Sequence, residues 1–185
     1  DMWTQSAFVE IVSLKGKELK RAQKRMSNVQ YLYISAPDDN ESVFTLLEKA
    51  AMPNLRALRI EMYLNEQRAV RVANALRNKP KVEQIRLRLH GMSEQSTGSL
   101  FDALSSLPLT ALCFNFWDVL SQQLVDRFCT LLQQKRNTLV SFEVSSDLND
   151  TGFIDGLLSN GLPGLQHLQL LRFHCGVLNK LQTQH

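Results

Sequence analysis

One pattern, apolar-x-x-apolar-x-apolar, returns six times along this chain and limits what it can fold into. The copies are Val29/Leu32/Ile34, Leu55/Leu58/Ile60, Val82/Ile85/Leu87, Leu109/Leu112/Phe114, Leu139/Phe142/Val144 and Leu165/Leu168/Leu170. Their starts lie 26, 27, 27, 30 and 26 residues apart. Within each copy the last two apolar positions are two residues apart, the period of a strand with one buried face. Between copies the period lengthens to that of a helix, as in Ala69/Ala73/Leu76, Leu100/Leu104/Leu107 and Leu124/Phe128/Leu131. Polar residues that accept from free backbone N–H groups open these segments at Asn40, Asn65, Ser93, Ser121 and Asn149. Each unit therefore reads as a strand, a turn, a capped helix and a return.

A strand joined to the next strand by a helical return makes a right-handed parallel connection. Repeated six times, this predicts an α/β solenoid with a parallel concave sheet and outer helices, in the form of a short horseshoe. No unit buries its apolar face alone, so the core must run continuously through its neighbours. The period and the strand pattern resemble those of leucine-rich-repeat proteins, whose units run about 20–29 residues. The long helical half, as in Asn65-Glu-Gln through Ala75-Leu-Arg-Asn78, resembles the ribonuclease-inhibitor-like subclass. The resemblance covers Val29 to Phe173 and concerns architecture. One departure stands out: where that family usually places Asn or Cys after the strand, this chain has Pro37, Tyr63, His90, Trp117, Asp147 and Phe173. The turns are therefore expected to be irregular.

The whole chain, 1–185, reads as one domain of this kind. Residues 1–28 read as a degenerate repeat, with Val9, Val12 and Leu14 in strand spacing, or as an N-terminal cap. Residues 29–173 hold the six strand repeats, expected near 30–35, 56–61, 83–88, 110–115, 140–145 and 166–171. Residues 174–185 read as a truncated last unit or tail, and a seventh strand at the same period would begin past His185, so the chain reads as a fragment. No run of apolar residues is long enough to span a bilayer, and the N-terminus lacks a basic segment followed by a long apolar one. The cytoplasm or nucleus is the expected compartment, although a fragment would have lost any leader. Three scattered cysteines, Cys113, Cys129 and Cys175, fit reduced thiols better than a disulfide framework.

The net charge of +3 is unevenly shared: residues 1–92 carry 16 Lys/Arg against 10 Asp/Glu, while 93–185 carry 5 against 8. A dense basic cluster, Lys15, Lys17, Lys20, Arg21, Lys24 and Arg25, falls in the first unit; it reads as a solvated face that keeps the end of the array soluble, the alternative being a contact for an anionic surface or nucleic acid. Strand residues between the core positions point to the concave side. The middle concave column reads Tyr33, Arg59, Arg86, Cys113, Glu143 and Gln169. The following column reads Ser35, Glu61, Arg88, Asn115, Ser145 and Leu171, and the preceding one Tyr31, Ala57, Gln84, Ala111, Ser141 and His167. Aromatic and Arg side chains are favoured interface anchors, so Tyr31, Tyr33, Arg59, Glu61, Arg86, Arg88, Asn115 and Phe116 form the candidate partner-binding surface. Arg pairs a carboxylate through two parallel hydrogen bonds, which makes an acidic protein segment the natural complement. Nucleic acid is not expected, because only the first half is basic and Glu61 and Glu143 share the face. Trp117, in the turn after the fourth strand, is expected to fold back over the rim of the core.

No phosphate loop, nucleophile elbow or zinc-helix motif occurs, so no catalytic residue, metal site or cofactor is expected. The reading is a non-enzymatic protein-interaction module, part of a larger scaffold, adaptor or sensor. The alternative is a regulator of an enzyme in trans, since repeats of this kind also occur in activators of a small GTPase and suit a ubiquitin-ligase substrate receptor.

Overall fold

In the computed structural model, residues 8–11, 17–35, 41–146 and 151–175 are described. The two-residue alternation becomes seven strands: β1 (Phe8–Ile11), β2 (Tyr31–Ile34), β3 (Ala57–Leu64), β4 (Gln84–Leu89), β5 (Ala111–Phe116), β6 (Ser141–Ser146) and β7 (Leu170–Cys175). Between them lie α1 (Lys17–Arg25), α2 (Ser42–Lys49), α3 (Glu66–Arg77), α4 (Glu94–Ser105), α5 (Gln122–Gln134) and α6 (Thr151–Gly156). The strands pair in chain order and all six pairings are parallel. The architecture is a leucine-rich-repeat solenoid, with a parallel concave sheet inside and helices outside.

The first inward position of each strand meets its counterpart in the next unit. Val9, Leu32, Leu58, Ile85, Leu112, Phe142 and Leu171 are cross-strand partners in turn, so one apolar row runs the length of the sheet. The helix stripes close over it: Phe44, Leu47, Ala73, Leu76, Leu100, Leu104, Phe128 and Leu132 are buried in the same cluster. Burying one such side chain contributes about 1.5–3 kcal/mol. In the later units the filling is aromatic, with the Phe128 ring 5.3 Å from Phe101, 5.4 Å from Phe114 and 5.6 Å from Phe116. The expected caps at Asn65, Ser93 and Ser121 each accept a backbone N–H, from Arg68, Ser96 and Leu124 respectively. Asn40 and Asn149 lie outside the described residues.

Two buried lysines tie units together. The Lys79 ammonium donates to the Leu47 carbonyl at 2.6 Å and the Ala75 carbonyl at 3.2 Å, and Lys135 reaches Ser105 and Leu107 carbonyls at 2.5 and 2.6 Å. Carbonyls at the C-terminal ends of helices are natural partners for a cation. Burial pushes both ammonium groups below the ordinary lysine value.

The strand positions differ from expectation at the two ends. The last strand is Leu170–Cys175, not 166–171, and Leu171 and Phe173 pair with Phe142 and Val144. The sixth copy of the pattern is therefore Leu168/Leu171/Phe173. It overlaps the expected Leu165/Leu168/Leu170, and both satisfy the same spacing. A π-helical turn, Leu157–Gly161, and a turn at Gly164 (φ 87°) use up the extra residues before the strand starts. His174 and Cys175 thus belong to β7 rather than to a tail. At the other end the buried pair is Val9 and Ile11, paired with Leu32 and Ile34, so the first unit is shifted from Val9/Val12/Leu14. Val12 and Leu14 lie outside the described residues.

Candidate interaction surface

Because side chains alternate across each strand, the residues between the core positions form the concave face. One row runs Phe8, Tyr31, Ala57, Gln84, Ala111, Ser141 and Leu170; the next runs Glu10, Tyr33, Arg59, Arg86, Cys113, Glu143 and Arg172. His167 and Gln169, expected in these rows, precede β7, because the register of that strand is shifted. Between and above the rows lies a groove of about 510 Å³ that crosses β1 to β6. Its floor is kept low in the middle by Ala57 and Ala111, and its first end is walled by rings: Phe8 is 54% exposed and Tyr31 41%.

The arginines expected to be free for a partner are already paired. Glu61 sits between two of them, accepting from Arg59 Nε at 2.5 Å and meeting Arg88 Nη2 at 2.7 Å. The carboxylate is only 12% exposed. Arg86 Nη2 donates to Glu143 at 2.8 Å, and its Nε points at the Cys113 sulfur at 3.1 Å. Arg59 also lies 5.0 Å from the centre of the Tyr33 ring. Burial raises the Cys113 thiol above its ordinary value against the pull of Arg86, so at neutral pH this sulfur is a thiol rather than a nucleophilic thiolate.

Glu61 is not the ladder neighbour of Arg88. The register shifts after Arg59, and Tyr63 occupies that place. β3 carries two more residues than β4 or β5 yet keeps its alternation, so Met62 and Leu64 still point inward. Phe116 is a clearer correction: it is 2% exposed and belongs to the core rather than the partner surface. β5 continues through Phe116, so the inward series Leu112, Phe114, Phe116 gains a third member that pairs with Leu89. Asn115 does face the concave side, half-buried, and its Oδ1 has no hydrogen-bond partner among the described residues.

Trp117 does not fold over the rim of the core. It is 41% exposed and its ring meets Tyr63 edge-on at 5.1 Å and His90 at 6.5 Å. These are three of the turn positions where an Asn or Cys was expected, each 27 residues after the last. Asp118 braces the same edge, accepting from the Gly91 N–H and lying 3.6 Å from His90 Nδ1. Sequence reasoning sees the departure from pattern at each position but not that Trp117 meets the other two rings edge to face along the solenoid.

The outer face shows two arrangements of charge. On α3, Arg68 and Arg71 reach back to α2, with Arg68 on Glu41 at 2.9 Å and Arg71 on Glu41 at 2.8 Å and Glu48 at 2.9 Å. On α1, Lys20, Arg21, Lys24 and Arg25 are all exposed, and none has an ion-pair partner among the described residues. No helix among the described residues is long and apolar enough to cross a membrane.

By sequence, the chain matches no protein-family model and no curated protein. Among solved structures it is similar to one titled Leiomodin-1 Actin-Binding Site 2, with a TM-score of 0.57 and 16% identity. The similarity covers 90% of this chain and 93% of that one. At that identity the likeness is one of fold, and it extends over nearly the whole repeat array.

Proposed function

We propose that the chain is a non-enzymatic protein-interaction module that takes a segment of a protein partner along its concave groove. The observation that carries this is the groove itself, about 510 Å³ across six strands, with Phe8 and Tyr31 open at one end and small residues beneath. Concave sites with an apolar lining and a few oriented polar groups are the usual places for ligands, and aromatic side chains concentrate binding energy at interfaces. Leiomodin-1 presents an actin-binding site in this fold; for this chain the corresponding reading is a protein partner, of identity set by its own residues. The role assigned is that of a scaffold, adaptor or sensor. The 12- and 13-residue helices α3 to α5 support placing the units in the ribonuclease-inhibitor-like subclass.

The acidic complement expected for the concave arginines needs revision. Arg59, Arg86 and Arg88 already hold Glu61 and Glu143, so an incoming carboxylate competes with them. On this face the main anchor of the partner is apolar or aromatic, seated against Phe8, Tyr31 and Tyr33, and the arginines align it. Selection of random peptides on the intact chain tests this. Recovered binders should carry an apolar anchor and lose affinity with Tyr31→Ala/Tyr33→Ala at unchanged melting temperature. Binders that ignore both tyrosines would move the site off the groove.

A further inference from the structure

Helix α1 carries a pattern that neither the core nor the groove explains. Its inward side is made by Met26, just past its end, and Ala22, one turn earlier, both packed on the core. The opposite side therefore holds Lys20, Arg21 and Lys24, with Arg25 at its flank, and all four are exposed. Lys20/Lys24 and Arg21/Arg25 are like-charge pairs at four-residue spacing, which destabilise a helix. Solubility does not call for this, because interspersed signs serve it equally well. The neighbouring helices have that mixed arrangement: Glu41, beside α2, is turned to Arg68 and Arg71 of α3, and Glu48, within α2, to Arg71. Neither carboxylate is left for α1. The helix holds one acid, Glu18, ahead of all four cations, and a same-sign stripe with no ion-pair partner among the described residues points to a partner that supplies carboxylates.

We infer that this face of α1 docks an acidic surface of a protein partner; the inference rests on the reading of the chain as a protein-binding module. The stripe spans about 8 Å from Lys20 to Arg25, at 1.5 Å of rise per residue. It offers two guanidinium forks for carboxylates and two compact ammonium charges. A lipid surface fits less well, because interfacial helices insert large apolar side chains and none is exposed among the described side chains of α1. A nucleic acid fits less well too, because such interfaces spread over about 1,000–2,500 Å², whereas this stripe is one helix wide. The acidic complement first assigned to the concave arginines thus belongs on the outer side of the first unit.

The test uses the intact chain and a labelled short peptide rich in Asp and Glu, with anisotropy as the readout. Phosphatidylserine vesicles and a DNA duplex serve as competing anionic probes. Lys20→Glu/Lys24→Glu should weaken peptide binding by about tenfold or more. Arg77→Glu/Arg136→Glu, the same charge change at exposed sites away from α1, should leave it within about twofold. Lys20→Gln/Lys24→Gln keeps the question open to measurement if the reversal disturbs folding, and it should weaken binding by a smaller factor in the same direction. Equal losses from the two reversed pairs would overturn the inference, as would tighter binding to the vesicles or the duplex than to the peptide at equal charge. None of these substitutions touches the groove, so a failure here leaves the concave reading standing, and binders that ignore the concave tyrosines leave this one standing.

Discussion

The cations in the middle of the array and those on its first helix look alike in sequence and differ in circumstance. Arg59, Arg86 and Arg88 on the sheet, and Arg68 and Arg71 on α3, each hold a carboxylate of this chain at 2.5–2.9 Å. Lys20, Arg21, Lys24 and Arg25 hold none among the described residues. A basic count over residues 1–92 merges the two groups. What separates them is whether the fold supplies a counter-charge, and that depends on register and on which way each carboxylate turns. The paired group is part of the structure, and the other group has no counter-charge among the described residues.

The difference between centre and end should be largest in the apolar row that both share. Leu112→Ala removes a side chain closed in on all sides and should cost about 2–5 kcal/mol in urea unfolding. Leu171→Ala, in the same row but 43% exposed on β7, should cost less than about 1 kcal/mol. Equal losses would mean that the last unit is covered as fully as the middle.

Next in size is the carboxylate shared by two arginines. Glu61→Gln removes one partner of two charge-assisted contacts at a site only 12% exposed, and should cost about 1–3 kcal/mol. A loss below about 0.5 kcal/mol would place the two guanidiniums in solvent and revive them as free anchors.

A smaller effect distinguishes the paired cations by pH. The hydrogen bond from Arg71 holds the Glu48 carboxyl below its ordinary value of 4.5, against the effect of burial. Its folded value is depressed, so its stabilisation is present above the unfolded value and is lost as pH falls through the folded one. Glu48→Gln should therefore lower stability by about 0.5–1 kcal/mol at neutral pH, with the gap to the parent chain closing below about pH 4.5. A gap that stays constant into acid would show that packing, not charge, accounts for the loss.

These contrasts also show where sequence reasoning reaches and where it stops. The four central strands and their helices were legible because three signals agreed there: alternation at Leu58/Ile60 or Ile85/Leu87, helical stripes at Ala69/Ala73/Leu76, and a cap at Asn65, Ser93 or Ser121. At Leu165 to Phe173 two overlapping copies of one pattern competed, and only the preceding π-helical turn chose between them. Phe116 was misread because the motif stops at Phe114, although the same alternation continues one step further inward. Local rules carry no information on long-range pairing, so the partners of Arg86 and Arg71, 57 and 23 to 30 residues away, were invisible. The buried lysines were missed for the same reason: Lys79 and Lys135 look like exposed helix-end charges until the carbonyls of the preceding unit are in place.

The most direct test of the division between compensated and uncompensated cations needs no partner at all. Urea midpoints would be measured at low and high salt for Arg71→Gln, Arg86→Gln and the pair Lys20→Gln/Lys24→Gln. The two single arginine changes should each lower stability by about 0.5–1 kcal/mol at low salt, less at high salt. The lysine pair should leave stability unchanged or raise it by about 0.2–0.5 kcal/mol, because a like-charge repulsion is removed. A lysine pair that destabilises as much as Arg71→Gln would mean that α1 has a counter-charge within the chain, and that the first helix is no different from the middle of the array.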